Sequence, residues 1–140
     1  MHLNFNLTKK ILAWYDNNKR TLPWRVSKKS PNLLYYRLLS EFMLQQTQVK
    51  TVIPYFYKFT KKLQSLEILS RSKEEKVLKL WEGLGYYRRA RNLLASSKIL
   101  VNRYKSKLPR DIDEIKSLPG VGDYTSNVLI ALIYNKPTLA

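Results

Sequence analysis

The four glycines of this 140-residue chain fall as two pairs, Gly83/Gly85 and Gly120/Gly122, and each pair separates stretches whose apolar residues recur at helical spacing. Glycine breaks a helix and allows positive φ, so the pattern reads as helices joined by tight turns. Tyr35, Leu38, Leu39, Phe42 and Met43 mark the buried stripe of one helix, with Glu41 off that stripe, on a flank shared with Leu44 and Gln45. Leu7, Ile11, Leu12 and Tyr15 stripe an earlier helix that Leu22-Pro23 ends, and residues 26–32 form a polar, basic loop. Val49, Val52, Ile53, Phe56 and Phe59 predict a third helix, with Pro54 in its first turns or kinking it. Ser72-Lys73-Glu74-Glu75 has the form of a capping box opening a helix with Val77, Leu78 and Trp81. Ala90, Leu93, Leu94, Ser97, Val101 and Tyr104 lie along one face of a long helix. Asp111–Leu118 predicts a short one, and Thr125, Val128, Leu129, Leu132 and Ile133 stripe the last. No alternating strand and no internal repeat emerges, so the fold class is all-α.

Bulk composition narrows the function. A 44% hydrophobic share and this length fit one domain with its own core. No apolar run approaches the ~18 residues of a membrane span, and Met1–Asn6 lacks the form of a secretory signal. The chain has no cysteine, which excludes disulfides, thiolate metal sites and an iron–sulfur cluster held by this chain; its one histidine is His2, so no metal site is expected. Lys and Arg total 26 against 10 acids, a net charge of +16. Such a surface attracts polyanions, nucleic acid first and an anionic membrane second, although solubility alone accounts for charge of this kind. The positives are dispersed, so a folded face must carry them.

Four constellations are candidates for chemistry. In Leu118-Pro119-Gly120-Val121-Gly122, turn amides and the positive end of the next helix can hold one phosphate, an approach that side chains would obstruct. A plain helix–helix turn would also favour glycine. With Tyr124-Thr125 opening the next helix, a DNA-binding helix–hairpin–helix at about 111–134 is expected, and it reads backbone rather than sequence. In Gly83–Tyr87, an aromatic at a loop tip can wedge between bases while Arg88, Arg89 and Arg91 hold phosphates. Alternatively the tyrosines pack in the core, and Tyr87 is the expected one to do so. In Ser40-Glu41-Phe42-Met43-Leu44-Gln45-Gln46-Thr47-Gln48-Val49, one carboxyl sits among apolar and amide side chains. Desolvation there raises its pKa and keeps it protonated near neutral pH, fit for a general acid; an exposed helix glutamate is the bland alternative. Trp24-Arg25 either stacks on and hydrogen-bonds a base or is a hydrophobic staple beside a surface arginine.

Together with Leu22-Pro23-Trp24-Arg25, Thr51-Val52-Ile53-Pro54-Tyr55-Phe56, Leu80-Trp81-Glu82-Gly83-Leu84-Gly85-Tyr86-Tyr87 and Arg89-Ala90-Arg91-Asn92-Leu93, these motifs closely resemble the A/G-specific adenine DNA glycosylases of the helix–hairpin–helix base-excision superfamily, from about Leu7 to Ala140. The resemblance implies a six-helix barrel subdomain over about 26–140. It implies an N-terminal helix over 1–25 that packs on later helices, which leaves Ile11, Leu12, Trp14 and Tyr15 partly unpaired here. It also implies removal of adenine mispaired with 8-oxoguanine or guanine. Glu41 matches the general acid that protonates adenine N7, and Tyr124 an active-site tyrosine beside the sugar. Gln46 and Tyr86 match wedging residues, and Trp24 and Arg25 the adenine pocket. Gly120, Val121, Gly122 and Thr125 match the phosphate-binding hairpin. A lysine at the place of Tyr124 would form a Schiff base and nick the strand; tyrosine cannot, so the resemblance is to the monofunctional branch. The implied partner is double-stranded DNA, bound by a monomer in the bacterial cytoplasm, associated with the nucleoid.

This chain departs from the family in several ways. The family's Asp-Gly-Asn motif falls just beyond the position of Ala140. Its four cysteines for a four-iron–four-sulfur cluster, expected in the full-length family, have no counterpart, and Tyr35-Tyr36-Arg37 replaces a more regular pattern in the longer Asn32–Leu39 segment. The expectation is an N-terminal part of such an enzyme, binding DNA weakly with little or no turnover alone. A non-catalytic helix–hairpin–helix DNA-binding module, a bifunctional glycosylase/lyase and a remnant that never folds stably are the alternatives.

Overall fold

A computed structural model describes residues 22–135; the expected N-terminal helix, with the expectation for Ile11, Leu12, Trp14 and Tyr15, lies outside them. Among the described residues all regular structure is helical: α1 (Leu33–Leu44), α2 (Val49–Lys62), α3 (Leu66–Ser70), α4 (Glu74–Trp81), α5 (Arg88–Tyr104), α6 (Ile112–Lys116) and α7 (Asp123–Tyr134). The long α5 lies centrally, packing against α1, α3 and α4; α1 also meets α2 and α7, and α6 folds back on α7.

The apolar stripes explain the packing. Tyr35, Leu38, Leu39, Phe42 and Met43 of α1 are all buried, as are Val52, Phe56 and Phe59 of α2. Each such side chain taken from water contributes roughly 1.5–3 kcal/mol. Phe59 meets Trp81 edge-on at 6.1 Å, joining α2 to α4. The buried Tyr35 hydroxyl donates to the Leu63 carbonyl at 2.6 Å, closing the end of α2 onto α1, and burial raises its pKa. Pro54 stands inside α2 with its ring exposed. Ser126 and Ile130 are buried on α7 beside Thr125 and Leu129, so the face turned inward is rotated from the expected stripe; Val128, Leu132 and Ile133 are only half-buried.

Two local expectations are corrected. The sequence reading passes over α3, whose N-cap Ser65 accepts from the Ile68 amide at 3.1 Å. The capping box at Ser72 does not form: Lys73 is the N-cap of α4, and the Ser72 hydroxyl instead donates to the Ile68 carbonyl at 2.7 Å. The Ser72 side chain is thus turned back onto the preceding helix, and no side chain caps α4.

Candidate nucleic-acid interface

The hairpin between α6 and α7 is pinned from both sides. The Ser96 hydroxyl on α5 donates to the Pro119 carbonyl at 2.7 Å, and the Gln45 amide after α1 reaches the Gly120 carbonyl at 3.5 Å. Gly120 has φ +79°, and a Cβ there would lie 2.7 Å from the Phe42 ring and 2.8 Å from Asn92 Cβ. Only glycine fits so close to α1 and α5 in that conformation. Gly122 differs: it is extended, nothing lies within 4 Å of where its Cβ would be, and it caps α7 without any side-chain bond. The opening amides of α7 therefore face open space at the positive end of a twelve-residue helix. Lys116 pairs with Asp123 at 2.9 Å, offsetting the one carboxylate in that first turn. Val121 and Thr125 are buried, so their side chains seat the turn.

Tyr86 and Gln46 flank this hairpin. Both have left-handed backbones, φ +49° and φ +60°, although neither is glycine. Both are exposed, Tyr86 at 64%. They line one open cleft of about 610 Å³ together with Gln45, Arg88, Arg89, Asn92, Pro119 and Gly120. The structure thus brings together Gln46, Tyr86, Arg88 and Gly120, residues from three separate stretches of sequence.

Other expected residues fall elsewhere. Tyr87 is not in the core: it is 38% exposed, and its hydroxyl accepts from the Gly83 amide at 3.2 Å. Arg91 pairs with Glu74 at 3.8 Å and is not among the cleft residues. Trp24 is 3% exposed and meets Phe56 edge-on at 5.4 Å. No ring face is open to a base, so of the two readings left for Trp24 this packing is the staple, with Arg25 exposed beside it. Tyr124, at the start of α7, is 77% exposed.

Glu41 sits on α1 one turn before Gln45, half-buried. Desolvation raises its pKa, and the nearby Arg37 opposes the rise only in part. Its neighbour Phe42 is the ring under Gly120, so the helix that carries the acid is the one on which the hairpin rests.

Arg89, expected with Arg88 and Arg91 to hold phosphates, is placed differently. It stands beside Arg88 and reads like it, yet its guanidinium is buried beneath the cleft and holds backbone carbonyls instead of pointing outward. Asn92 and Gln45 were not anticipated as lining. Helical spacing is the signal that could have found the buried arginine: Arg89 precedes Leu93 by four residues and so falls on the buried face of α5, whereas Arg88 and Arg91 do not. Among the described residues no cluster of three or more His, Cys, Asp or Glu can hold a metal ion.

A helical scaffold carrying a pinned hairpin, an uncapped helix start and two strained, exposed side chains on one cleft defines a DNA-directed helix–hairpin–helix architecture. The family comparison agrees: the model of the HhH-GPD superfamily base excision DNA repair proteins matches residues 39–137, and the chain belongs to that superfamily. Among curated relatives, the adenine DNA glycosylase of Buchnera aphidicola subsp. Baizongia pistaciae is 45% identical over 126 residues, 89% of this chain and 35% of the relative. The human adenine DNA glycosylase is 38% identical over 133 residues, 91% of this chain and 24% of the relative. The chain thus spans only 24–35% of the length of these relatives. A solved thermostable thymine-DNA glycosylase superposes with a TM-score of 0.73 at 27% identity, covering 93% of this chain and 58% of that one. A non-covalent endonuclease III–DNA complex shares the fold, with a TM-score of 0.70 at 22% identity over 94% of this chain and 62% of that one.

Proposed function

We propose that this chain forms the DNA-gripping and base-flipping part of an adenine DNA glycosylase acting as a monomer on A:8-oxoguanine or A:G mispairs, in the cytoplasm at the nucleoid. One observation carries the reading: Gln46 and Tyr86, the two residues expected to wedge, are both exposed, both left-handed, and on the same cleft as Arg88 and Gly120. Adenine inside the stack must be extruded at a cost of roughly a few kcal/mol, which wedging and phosphate contacts offset. The amides at Gly122 and beyond hold one phosphate, Arg88 a second, and the Tyr86 ring fills the gap between bases.

Glu41, whose carboxyl desolvation biases toward the protonated form, gives its proton to adenine N7 and makes the base a neutral leaving group. Tyr124 stands beside the sugar and forms no covalent adduct, so the reaction is hydrolysis without strand nicking. Arg25 offers hydrogen bonds to the base, with buried Trp24 fixing its backbone. An oxocarbenium-like sugar favours a second, ionised carboxylate, which the resemblance assigns to a position past Ala140. The resemblance also implies a four-iron–four-sulfur cluster; this chain has no thiolate to hold one, and no step here runs through it.

The test is a duplex with 2-aminopurine, an adenine analogue quenched by stacking, opposite 8-oxoguanine. Saturating chain is expected to raise its fluorescence several-fold, Glu41→Gln to keep the rise, and Gln46→Ala or Tyr86→Ala to remove most of it. No rise at saturation, or an equal rise with both wedge residues truncated, refutes the reading.

A further inference from the structure

Arg89 is an oddity among the cations of this chain: it is 7% exposed, and its guanidinium meets no carboxylate among the described residues. Its Nη1 donates to the carbonyls of Phe42 at 3.1 Å, Met43 at 2.6 Å and Gln45 at 2.5 Å. Its Nη2 donates to Gly85 at 3.1 Å, and Nε approaches the Tyr86 carbonyl at 3.4 Å. The first set is the frayed end of α1, whose last turn contains no basic residue of its own. Carbonyls there carry the negative end of the helix dipole and need donors. The second set is the loop that presents Tyr86, and the guanidinium also lies 5.3 Å from the Trp81 ring and 5.6 Å from the Tyr86 ring. One planar fork therefore ties the backbone just before Gln46 to the backbone of Tyr86 itself. Those are the two non-glycine residues of the cleft held in left-handed conformations. L-residues leave that region unless the surroundings hold them.

We infer that Arg89 is a positioning residue for base extrusion, a clamp that fixes Gln46 and Tyr86 in register as a single wedge without itself touching DNA. The inference rests on the flipping function proposed above. It separates three neighbouring arginines: Arg88 is exposed on the cleft, Arg91 pairs with Glu74, and Arg89, buried in the floor of the same cleft, shapes it from beneath. Lysine cannot replace the clamp, since one ammonium with three donors does not reach carbonyls on two segments in the plane of a guanidinium.

The full 140-residue chain carrying Arg89→Lys tests the clamp, with three readouts. A cooperative thermal melt reports folding. Affinity for undamaged duplex at two or more salt concentrations reports phosphate contact. The 2-aminopurine rise opposite 8-oxoguanine at saturation reports extrusion. Arg89→Lys is expected to melt cooperatively and to keep its undamaged-duplex affinity within threefold with the parent salt slope, while the fluorescence rise falls at least fivefold. Adding Tyr86→Ala should then lower the rise less than twofold further, because the wedge is already misaligned.

A parent-sized rise overturns the clamp, as does a salt slope reduced by about one contact or a full additional effect of Tyr86→Ala. Should Arg89→Lys fail to melt cooperatively, Gly85→Ala decides. Gly85 has φ +81°, its carbonyl receives Arg89 and Trp81 Nε1, and an added Cβ meets no atom within 4 Å. That variant strains the clamped loop without filling the core. It should show the same split, and an intact rise, or loss of its cooperative melt as well, overturns the proposal. A parent chain that gives no rise sinks the flipping function and the clamp together. A parent rise that Tyr86→Ala removes and Arg89→Lys does not sinks the clamp alone.

Discussion

Gly120 and Gly122 are two residues apart, yet alanine at each should fail in a different assay. At Gly120 the backbone is at φ +79°, where a Cβ costs about 1–2 kcal/mol. The new methyl would also stand 2.7 Å from the Phe42 ring and 2.8 Å from Asn92 Cβ. Asn92 Nδ2, at 2.9 Å, can swing away; the Phe42 ring, fully buried in the core, cannot. Overpacking of this kind costs about 1–3 kcal/mol. The sum, roughly 2–5 kcal/mol, is a large share of the roughly 5–15 kcal/mol that holds a domain of this size together. Gly122 has ordinary φ and open space around its Cβ position. Alanine there should cost no more than about 1 kcal/mol, the difference between glycine and alanine as an N-cap. Its methyl, however, enters the space where a phosphate meets the α7 amides. A charge-assisted bond lost there is worth about 1.5–3 kcal/mol, roughly tenfold or more in affinity. Urea unfolding and duplex titration on both variants measure the pair. A loss below about 1 kcal/mol for Gly120→Ala, or duplex affinity unchanged in Gly122→Ala, would refute the reasoning.

Glu41 links folding to pH. Its folded-state pKa lies above the unfolded value because burial penalises the carboxylate. The stability tied to its proton is therefore present in full below the unfolded pKa and lost as pH rises through the folded one. Glu41→Gln should match the parent near pH 4 and exceed it above neutrality, by about 1.4 kcal/mol for each unit the pKa is raised; melting curves across pH check this. Arg88→Ala should weaken binding of any duplex and reduce the slope of log affinity against log salt by about one, as read by titration at several salt concentrations. Tyr35→Phe leaves the buried Leu63 carbonyl without its donor and should cost about 1–3 kcal/mol in urea unfolding.

What was legible in the sequence is what periodicity and turn chemistry encode. The buried set Tyr35, Leu38, Leu39, Phe42 and Met43 follows from a 3.6-residue repeat, and the hairpin helices from two glycines between two apolar stripes. Caps were less legible. Ser72 had both a forward and a backward partner available, and the backward carbonyl of Ile68 won. α3 has five residues, too few for a helical repeat to register. Tyr87 looked as suited to the core as any tyrosine, but its hydroxyl finds the Gly83 amide at the surface of the same turn.

The proposed site showed its tips in the sequence more than its base. Tyr86 and Gly120 stand out through glycine-turn chemistry and Gln46 through the family resemblance, whereas the group that joins them is an arginine flanked by other arginines. Local preference predicts neither Gln46 nor Tyr86 as left-handed, since each costs roughly 1–2 kcal/mol relative to an ordinary backbone. Such conformations persist where surrounding bonds over-determine them, and here those bonds converge on Arg89 from carbonyls more than forty residues away in sequence. Pairing at that distance leaves no trace in spacing. Positions where local rules fail together, and fail toward one shared partner, are therefore where this fold stores the alignment its proposed chemistry needs.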